Sequence, residues 1–320
     1  MRFSNSYFED EVRDGFYVSG MMKRAWAAQL EILEDIDKVC KKNNIQYFAE
    51  WGTLLGAVRH GGFIPWDDDL DICMKRADYK KFLAVARQEL PEGYGLLNCH
   101  NEYNGEVYYE FLTRVVNGNQ ICFDERHLEK FHGFPYVSGI DIFPLDYYAS
   151  DNKEQQIQKK LVDLLSVVIS CADSTNFNQD ELEVQLRQVE EICNVTIERD
   201  DRIKQQLYLL EERIFSMYDE REAEEITMMP LGLENARIRF PKNYYQEAVM
   251  LPFENTQLPV PVFYDMILRK KYGDYLKPVH KGGSHEYPFY KRQEDVLQEL
   301  YGVKPLKYII STTEQSSVTG

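Results

Sequence analysis

The segment from Gly52 to Ile72 combines a glycine-containing turn with a row of acidic side chains. Asp67, Asp69 and Asp71 occupy every second position, and the side chains of a β-strand alternate between its two faces. We therefore expect these carboxylates on one face of a strand whose hydrophobic residues face a core. Crowded carboxylates repel one another, and the hard cation Mg²⁺, or Mn²⁺ in its place, prefers oxygen ligands. The pattern predicts a metal site.

Asp69 and Asp71 are the first candidates for metal ligands and catalytic residues. Their hydrophobic neighbours fix the segment against a core, where a charged strand needs a counter-charge. Asp67 is a weaker candidate for either role because it lies nearer the loop, and it is also a candidate for substrate binding. Asp68 is expected to face the opposite side and to be structural. The alternative for the whole row is a solvated acidic turn after the preceding proline.

Asp141 lies between two isoleucines in a second acidic segment. Hydrophobic neighbours on both sides predict a buried strand, where a lone carboxylate needs a partner. A metal site on an adjacent strand would supply that partner, which would make Asp141 a third ligand or the general base for an acceptor hydroxyl. The alternative is a carboxylate satisfied by backbone or arginine donors. Asp146 is expected in a turn or a helix cap.

The turn before the acidic row has features of a phosphate-binding site. Gly52 and Thr53 stand between a predicted strand and a predicted helix, with Thr53 as the N-cap, and amides at a helix N-terminus bind phosphate. Arg59 would bind a phosphate bidentately, and His60 is a further substrate-binding candidate. The alternative is that both only offset the helix dipole. Metal carboxylates beside bound phosphate are the minimum equipment for phosphoryl or nucleotidyl transfer.

Aromatic and basic side chains supply further candidates. Trp51 and Trp66 flank the motif, and aromatic faces attract quaternary ammonium ions such as choline. Trp66 is therefore a candidate for substrate binding, although ordinary packing is the alternative for either residue. The basic residues 269–271 are expected on the surface, with phosphate binding as the alternative.

Hydrophobic spacing predicts the elements that must position these residues. Helices are predicted over 22–43, 53–60, 76–90, 264–272 and 292–301. Strands are predicted over 45–51, 69–74, 94–98, 107–116, 120–123 and 137–143, with a hairpin over 253–261. This order predicts an α+β fold in which a small mixed sheet is covered by helices.

The composition changes along the chain predict its division into parts. We expect a catalytic core over 1–150, a helical insertion or subdomain over 151–234, a part over 235–310 that completes the catalytic domain, and a disordered tail over 311–320. Leucine and isoleucine recur at helical spacing throughout 151–228, and the many charges there are expected to form a solvated helix face.

The overall charge constrains the partners. The 320 residues include 53 acidic and 37 basic side chains, a net charge of −16, which argues against a nucleic-acid substrate. The scattered cysteines predict reduced thiols and not disulfides or a zinc site. The sequence shows no secretory signal and no transmembrane segment, so we expect a cytoplasmic protein, with peripheral membrane contact left open.

The motifs resemble those of the LicD family of phosphotransferases, whose relatives include the fukutin-related enzymes. Residues 52–60 (GTLLGAVRH) and 65–72 (PWDDDLDI) resemble the family's first block, and this resemblance is the most specific. Residues 140–146 (IDIFPLD) resemble the second block, and 258–261 (LPVP) with 271–275 (KYGDY) resemble the third. The helical middle of the chain is not covered.

The resemblance implies a nucleotidyltransferase-like fold and transfer of a phospho-substituent. The typical reaction moves phosphocholine from CDP-choline to a hydroxyl of a cell-surface glycan, lipid-linked glycan or teichoic acid precursor. By this resemblance Asp69 and Asp71 bind Mg²⁺, and Asp141 is the third carboxylate. Relatives that transfer ribitol phosphate leave the CDP-linked donor open. A true nucleotidyltransferase and a non-catalytic binding protein are the remaining alternatives.

Overall fold

The computed structural model describes residues 1–173, 178–279 and 287–302. The predicted tail 311–320 lies outside the described residues. The strands are β1 (Glu11–Arg13), β2 (Phe16–Val18), β3 (Phe48–Ala49), β4 (Asp71–Lys75), β5 (Gly95–Leu97), β6 (Glu102–Tyr103), β7 (Glu106–Val107), β8 (Thr113–Val116), β9 (Gly139–Ala149), β10 (Ala223–Thr227), β11 (Arg239–Pro241), β12 (Ala248–Phe253) and β13 (Thr256–Pro261). The helices are α1 (Gly20–Lys42), α2 (Trp51–Arg59), α3 (Arg76–Glu89), α4 (Glu125–Lys130), α5 (Asn152–Asp173), α6 (Gln179–Cys193), α7 (Ile203–Phe215), α8 (Leu231–Glu234), α9 (Tyr264–Tyr272) and α10 (Lys291–Tyr301).

The long strand β9 organises the main sheet. β4 runs parallel to it, while β8 pairs antiparallel with its first half and β10 antiparallel with its second half. β3, β5 and β11 extend the sheet further. Parallel and antiparallel pairs therefore meet in one mixed sheet flanked by helices. This arrangement confirms the predicted α+β class and is consistent with a nucleotidyltransferase-like fold.

The predicted strand over 69–74 begins later than expected. β4 starts at Asp71, and Asp67 and Asp69 lie in the loop before it. The loop carbonyls are bound by helix α1, because Trp26 Nε1 donates to Asp67 O at 3.2 Å and Gln29 Nε2 donates to Asp68 O at 2.6 Å. These bonds replace a strand ladder, so the alternation of acids with hydrophobic residues does not reflect a strand here.

The N-terminus of α2 also differs from the prediction. Glu50, not Thr53, is the N-cap, and its side chain accepts from the Trp51 amide. Thr53 lies inside the first turn and is buried, and its Oγ1 accepts from the Asp71 amide at 2.8 Å. The threonine therefore joins α2 to the start of β4.

Asp146 is not in a turn or cap. It lies within β9, is fully buried and accepts from Arg76 Nε and Nη2, both at 2.6 Å. The prediction failed because β9 continues through Pro144 to Ala149, well past the predicted end at Phe143.

Several predicted strands are shorter or absent. Only Phe48–Ala49 of 45–51 forms a strand, and 107–116 divides into β7 and β8. Residues 120–123 form no strand; the Cys122 amide instead donates to Pro135 O. The helical pattern over 151–228 is interrupted at 223–227, where β10 joins the main sheet. By contrast, α1, α3, α9, α10 and the β12–β13 hairpin confirm the predictions for those segments.

The buried hydrophobic residues form two clusters. The larger one joins α1 and the sheet to residues of α9 and α10, such as Trp26, Ile142, Leu268 and Leu297. The smaller one fills the space among α5, α6 and α7. The chain after β11 thus returns to the core that holds the acidic segment, while the domain boundaries at 150 and 234 stay predictions. Among the described residues, every helix is too short or too polar to cross a membrane.

Candidate active site

Asp71 and Asp141 lie side by side on adjacent parallel strands. They are register partners in the β4–β9 pair, which confirms that Asp141 lies on a strand next to the acidic segment. Asp71 is buried. Both residues, together with Asp69, line a cavity of about 580 Å³ whose lining also includes the start of α10. The structure therefore brings together the residues predicted to be catalytic and metal-binding.

The loop acids are equally crowded. Carboxylate oxygens of Asp67, Asp68 and Asp69 lie within 4.8 Å of one another. Asp68 is buried, and its Oδ2 accepts from the Phe289 amide at 2.5 Å. This bond ties the loop to the segment before α10. The prediction that Asp68 faces the opposite side is wrong, because its carboxylate lies with those of Asp67 and Asp69.

Two of the acidic side chains, Asp67 and Asp71, have a raised pKa. Burial raises the pKa of Asp67 to about 8, and the charges of Asp69 and Asp68 add to this effect. Burial likewise holds the pKa of Asp71 well above its ordinary value, with further contributions from Asp69 and Asp141. The causes are desolvation and like-charge repulsion.

The residues fit a divalent cation. The cavity wall offers carboxylate oxygens from Asp69, Asp71 and Asp141, and hard cations such as Mg²⁺ and Mn²⁺ prefer such ligands. A cation would also supply the counter-charge that the buried Asp71 needs.

Gly52 allows Asp67 to approach α2. A Cβ atom at Gly52 would collide with Asp67 Oδ2, so the predicted phosphate-binding turn holds a carboxylate of the protein itself. The next residue, Thr53, holds the backbone of Asp71. In this structure both residues of the turn support the acidic segment directly.

The remaining substrate-binding candidates lie outside the lining of the acidic cavity. Arg59 Nη1 donates to Tyr275 O at 2.9 Å. His60 caps the end of α2, and its Nε2 lies 3.4 Å from Asp14 Oδ2. The Trp66 ring packs edge-on against His60, with their centroids 6.1 Å apart.

Sequence reasoning missed a buried ion pair beside the acids. Glu50 is fully buried and pairs with Lys271 from α9, which is also buried. Tyr245 OH donates to the other oxygen of Glu50 at 2.9 Å, and the Lys271 ammonium lies 3.9 Å from the centre of the Trp51 ring. The prediction of a surface position for Lys271 is wrong, because the end of α9 places this side chain against Glu50 and Trp51 at the start of α2. Glu50, immediately before the motif, was the residue in the sequence that could have indicated a buried ion pair.

Sequence reasoning also missed Arg114. Its guanidinium donates to both oxygens of Asp141, from Nε to Oδ1 at 2.5 Å and from Nη2 to Oδ2 at 2.7 Å. The alternative in which an arginine satisfies Asp141 therefore holds in this structure, alongside the proximity to Asp71. A basic residue inside the hydrophobic strand β8 was the available signal.

The mixed sheet and the acidic cavity are consistent with a nucleotidyltransferase-like fold, and the comparisons with known proteins indicate a phosphotransferase. The sequence model described as "LicD/FKTN/FKRP, nucleotidyltransferase domain" matches residues 44–162. A lipopolysaccharide cholinephosphotransferase, LicD of Haemophilus influenzae, is 27% identical over 250 residues, which are 78% of this chain and 88% of the relative. The chain is therefore similar to LicD-family phosphotransferases, and the family model itself covers residues 44–162.

Two further proteins match this chain over shorter segments and at higher identity. An uncharacterised protein of Rickettsia typhi is 47% identical over 64 residues, which cover 20% of this chain and 21% of that protein. An uncharacterised protein of Rickettsia prowazekii is 54% identical over 48 residues, covering 15% and 18%.

Proposed function

We propose that the protein transfers phosphocholine from CDP-choline to a hydroxyl of a cell-surface glycan in a reaction that depends on Mg²⁺. The observation that carries the proposal is the placement of Asp71 beside Asp141 in the wall of a cavity, with Asp69 in the same wall. The Haemophilus influenzae relative is a lipopolysaccharide cholinephosphotransferase, which supports the choice of transferred group and acceptor class. The cytoplasmic location stays a prediction.

The proposed reaction is an in-line displacement. The acceptor oxygen forms a bond to the phosphorus that carries choline, and the bond from that phosphorus to CMP breaks. Asp69, Asp71 and Asp141 would hold Mg²⁺, which when bound neutralises charge on the diphosphate. The proton of the acceptor hydroxyl passes to Asp67 or Asp141, the acidic groups assigned to orient it.

The test measures both products of the reaction. Purified protein is incubated with CDP-choline, Mg²⁺ and purified lipopolysaccharide, and mass spectrometry follows CMP and the modified acceptor. We expect Asp71→Asn and Asp141→Asn each to lower CMP release by more than roughly a hundredfold, because metal ligands are lost. Asp163→Asn, an exposed site on α5, is the matched control. Full activity of the Asp71 and Asp141 variants would overturn the proposal.

The same assay separates the alternatives. CDP-ribitol or CDP-glycerol as the better donor would change the group transferred but not the site. A nucleotidyltransferase would leave the acceptor carrying a nucleotide mass and would release phosphocholine from CDP-choline. A binding protein would show a donor-dependent thermal shift without turnover; a ligand at 100 times its dissociation constant stabilises by roughly 2.7 kcal/mol.

A further inference from the structure

Asp141 has a different partner on each side in the main sheet. In the parallel pair its register partner is Asp71, and in the antiparallel pair its register partner is Arg114. The fork of Arg114 uses Nε and one terminal nitrogen to engage both carboxylate oxygens of Asp141. One carboxylate therefore stands between an acidic neighbour and a basic one.

A cation shared with Asp71 and the guanidinium of Arg114 would compete for the carboxylate oxygens of Asp141. A cation held by Asp71 and Asp141 needs at least one oxygen of Asp141, and both oxygens already accept hydrogen bonds from the guanidinium. A cation at that position would also repel the positive charge of Arg114. Ligation of a cation by Asp141 therefore competes with the bidentate arginine contact.

The position of Arg114 also allows it to bind a ligand in the cavity. Its side chain is 41% exposed, so it is not locked in a core. It lines the same cavity as Asp69 and Asp71, and Lys291 and Arg292 at the start of α10 also contribute to this lining. A guanidinium fork matches phosphate oxygens as well as it matches a carboxylate.

We infer that Arg114 binds a phosphate of the nucleotide donor and that Asp141 holds this arginine until a divalent cation takes its place. The inference rests on the proposed function for the identity of the donor, but the exchange itself requires only a diphosphate and a cation. Arg114 is then a substrate-binding residue whose release is coupled to metal loading.

The test measures binding and not turnover. Calorimetry with Mg²⁺ alone reports the competition at Asp141, and calorimetry with inorganic pyrophosphate in saturating Mg²⁺ reports phosphate binding. We expect Arg114→Gln to bind Mg²⁺ roughly tenfold more tightly and pyrophosphate roughly ten- to a hundredfold more weakly, because one charged hydrogen-bonding group is removed. A purely structural role would not shift these two affinities in opposite directions.

Matched variants keep the result interpretable. Arg114→Lys retains the charge without the fork, so it should fall between the wild type and Arg114→Gln in both titrations. It also serves if Arg114→Gln does not fold. Arg126→Gln, at a 93% exposed arginine beside Asp124, should change neither affinity.

The outcomes separate this inference from the proposed function. Unchanged Mg²⁺ affinity or unchanged pyrophosphate affinity in the Arg114 variants overturns the inference, and so does a wild type that binds neither probe. If the wild type does not bind CDP-choline but the Arg114 variants show the opposite shifts in Mg²⁺ and pyrophosphate affinity, the proposed donor is wrong and the inference stands.

Discussion

The Glu50–Lys271 pair leads to a quantitative prediction. Both side chains are nearly inaccessible to solvent, at 0% and 3% exposure, so Lys271→Met leaves a buried carboxylate without its cation. Breaking a buried ion pair in this way costs roughly 3–5 kcal/mol. The unfolding entropy of about 2 cal/mol/K per residue converts this cost to a fall in melting temperature of roughly 5–8 °C for a chain of this length.

The assay is a double-mutant cycle read by thermal melting at low ionic strength. Glu50→Gln combined with Lys271→Met removes both charges, and replacing a whole buried pair with neutral groups is often close to neutral. We therefore expect the double variant to recover most of the lost stability. Lys270→Met, at the exposed neighbouring position, is the control and should melt close to the wild type.

Two results would refute this reasoning. If Lys271→Met melts within about 1 °C of the wild type, the pair does not stabilise the fold as the burial of both charges implies. If the double variant is as unstable as the sum of the single variants, the loss comes from packing of the lysine stem and not from an unpaired charge.

The other predictions concern the metal, the helical segment and the motif glycine. In EDTA, Asp71→Asn should melt at or above the wild type, because a desolvated carboxyl group beside other acids is removed, whereas millimolar Mg²⁺ should stabilise only the wild type. Burial raises the pKa of Glu211 from 4.5 to about 7, so the folded state loses stability as pH rises from 4.5 through 7 and the buried side chain ionises. Glu211→Gln should therefore raise the melting temperature by roughly 4 °C at pH 8 and by much less at pH 5. Gly52→Ala should displace Asp67 and lower transfer activity by roughly tenfold or more, while Gly118→Ala, where the new methyl group has room, should leave activity unchanged.

Local pattern was sufficient to predict the long helices and the strand of Asp141. The spacing of hydrophobic residues predicted α1 and α3 to within two residues at either end, and an acid between isoleucines indicated a buried strand that needed a partner. The partners could not be predicted, because they depend on which strands become neighbours. Asp71 and Arg114 flank Asp141 only after β4, β8 and β9 have assembled.

The acidic loop shows how a periodic pattern misleads. Alternating acids and hydrophobic residues predict a strand, but the loop carbonyls bond to Trp26 and Gln29 of α1. Tertiary hydrogen bonds of this kind cannot be predicted from a short stretch of sequence. The position of Lys271 was mispredicted for the same reason. A basic helix end normally faces solvent, and only the tertiary structure reveals the buried partner, Glu50.

The distance along the chain between Glu50 and Lys271, 221 positions, has a consequence for biosynthesis. Ribosomes add about 5–20 residues per second, so Lys271 is synthesised roughly 10–45 s after Glu50. During that time the nascent chain carries its cluster of acids without this cation, and the surface that α9 will cover stays open to chaperones. The acidic segment is thus translated early but reaches its final electrostatic environment late.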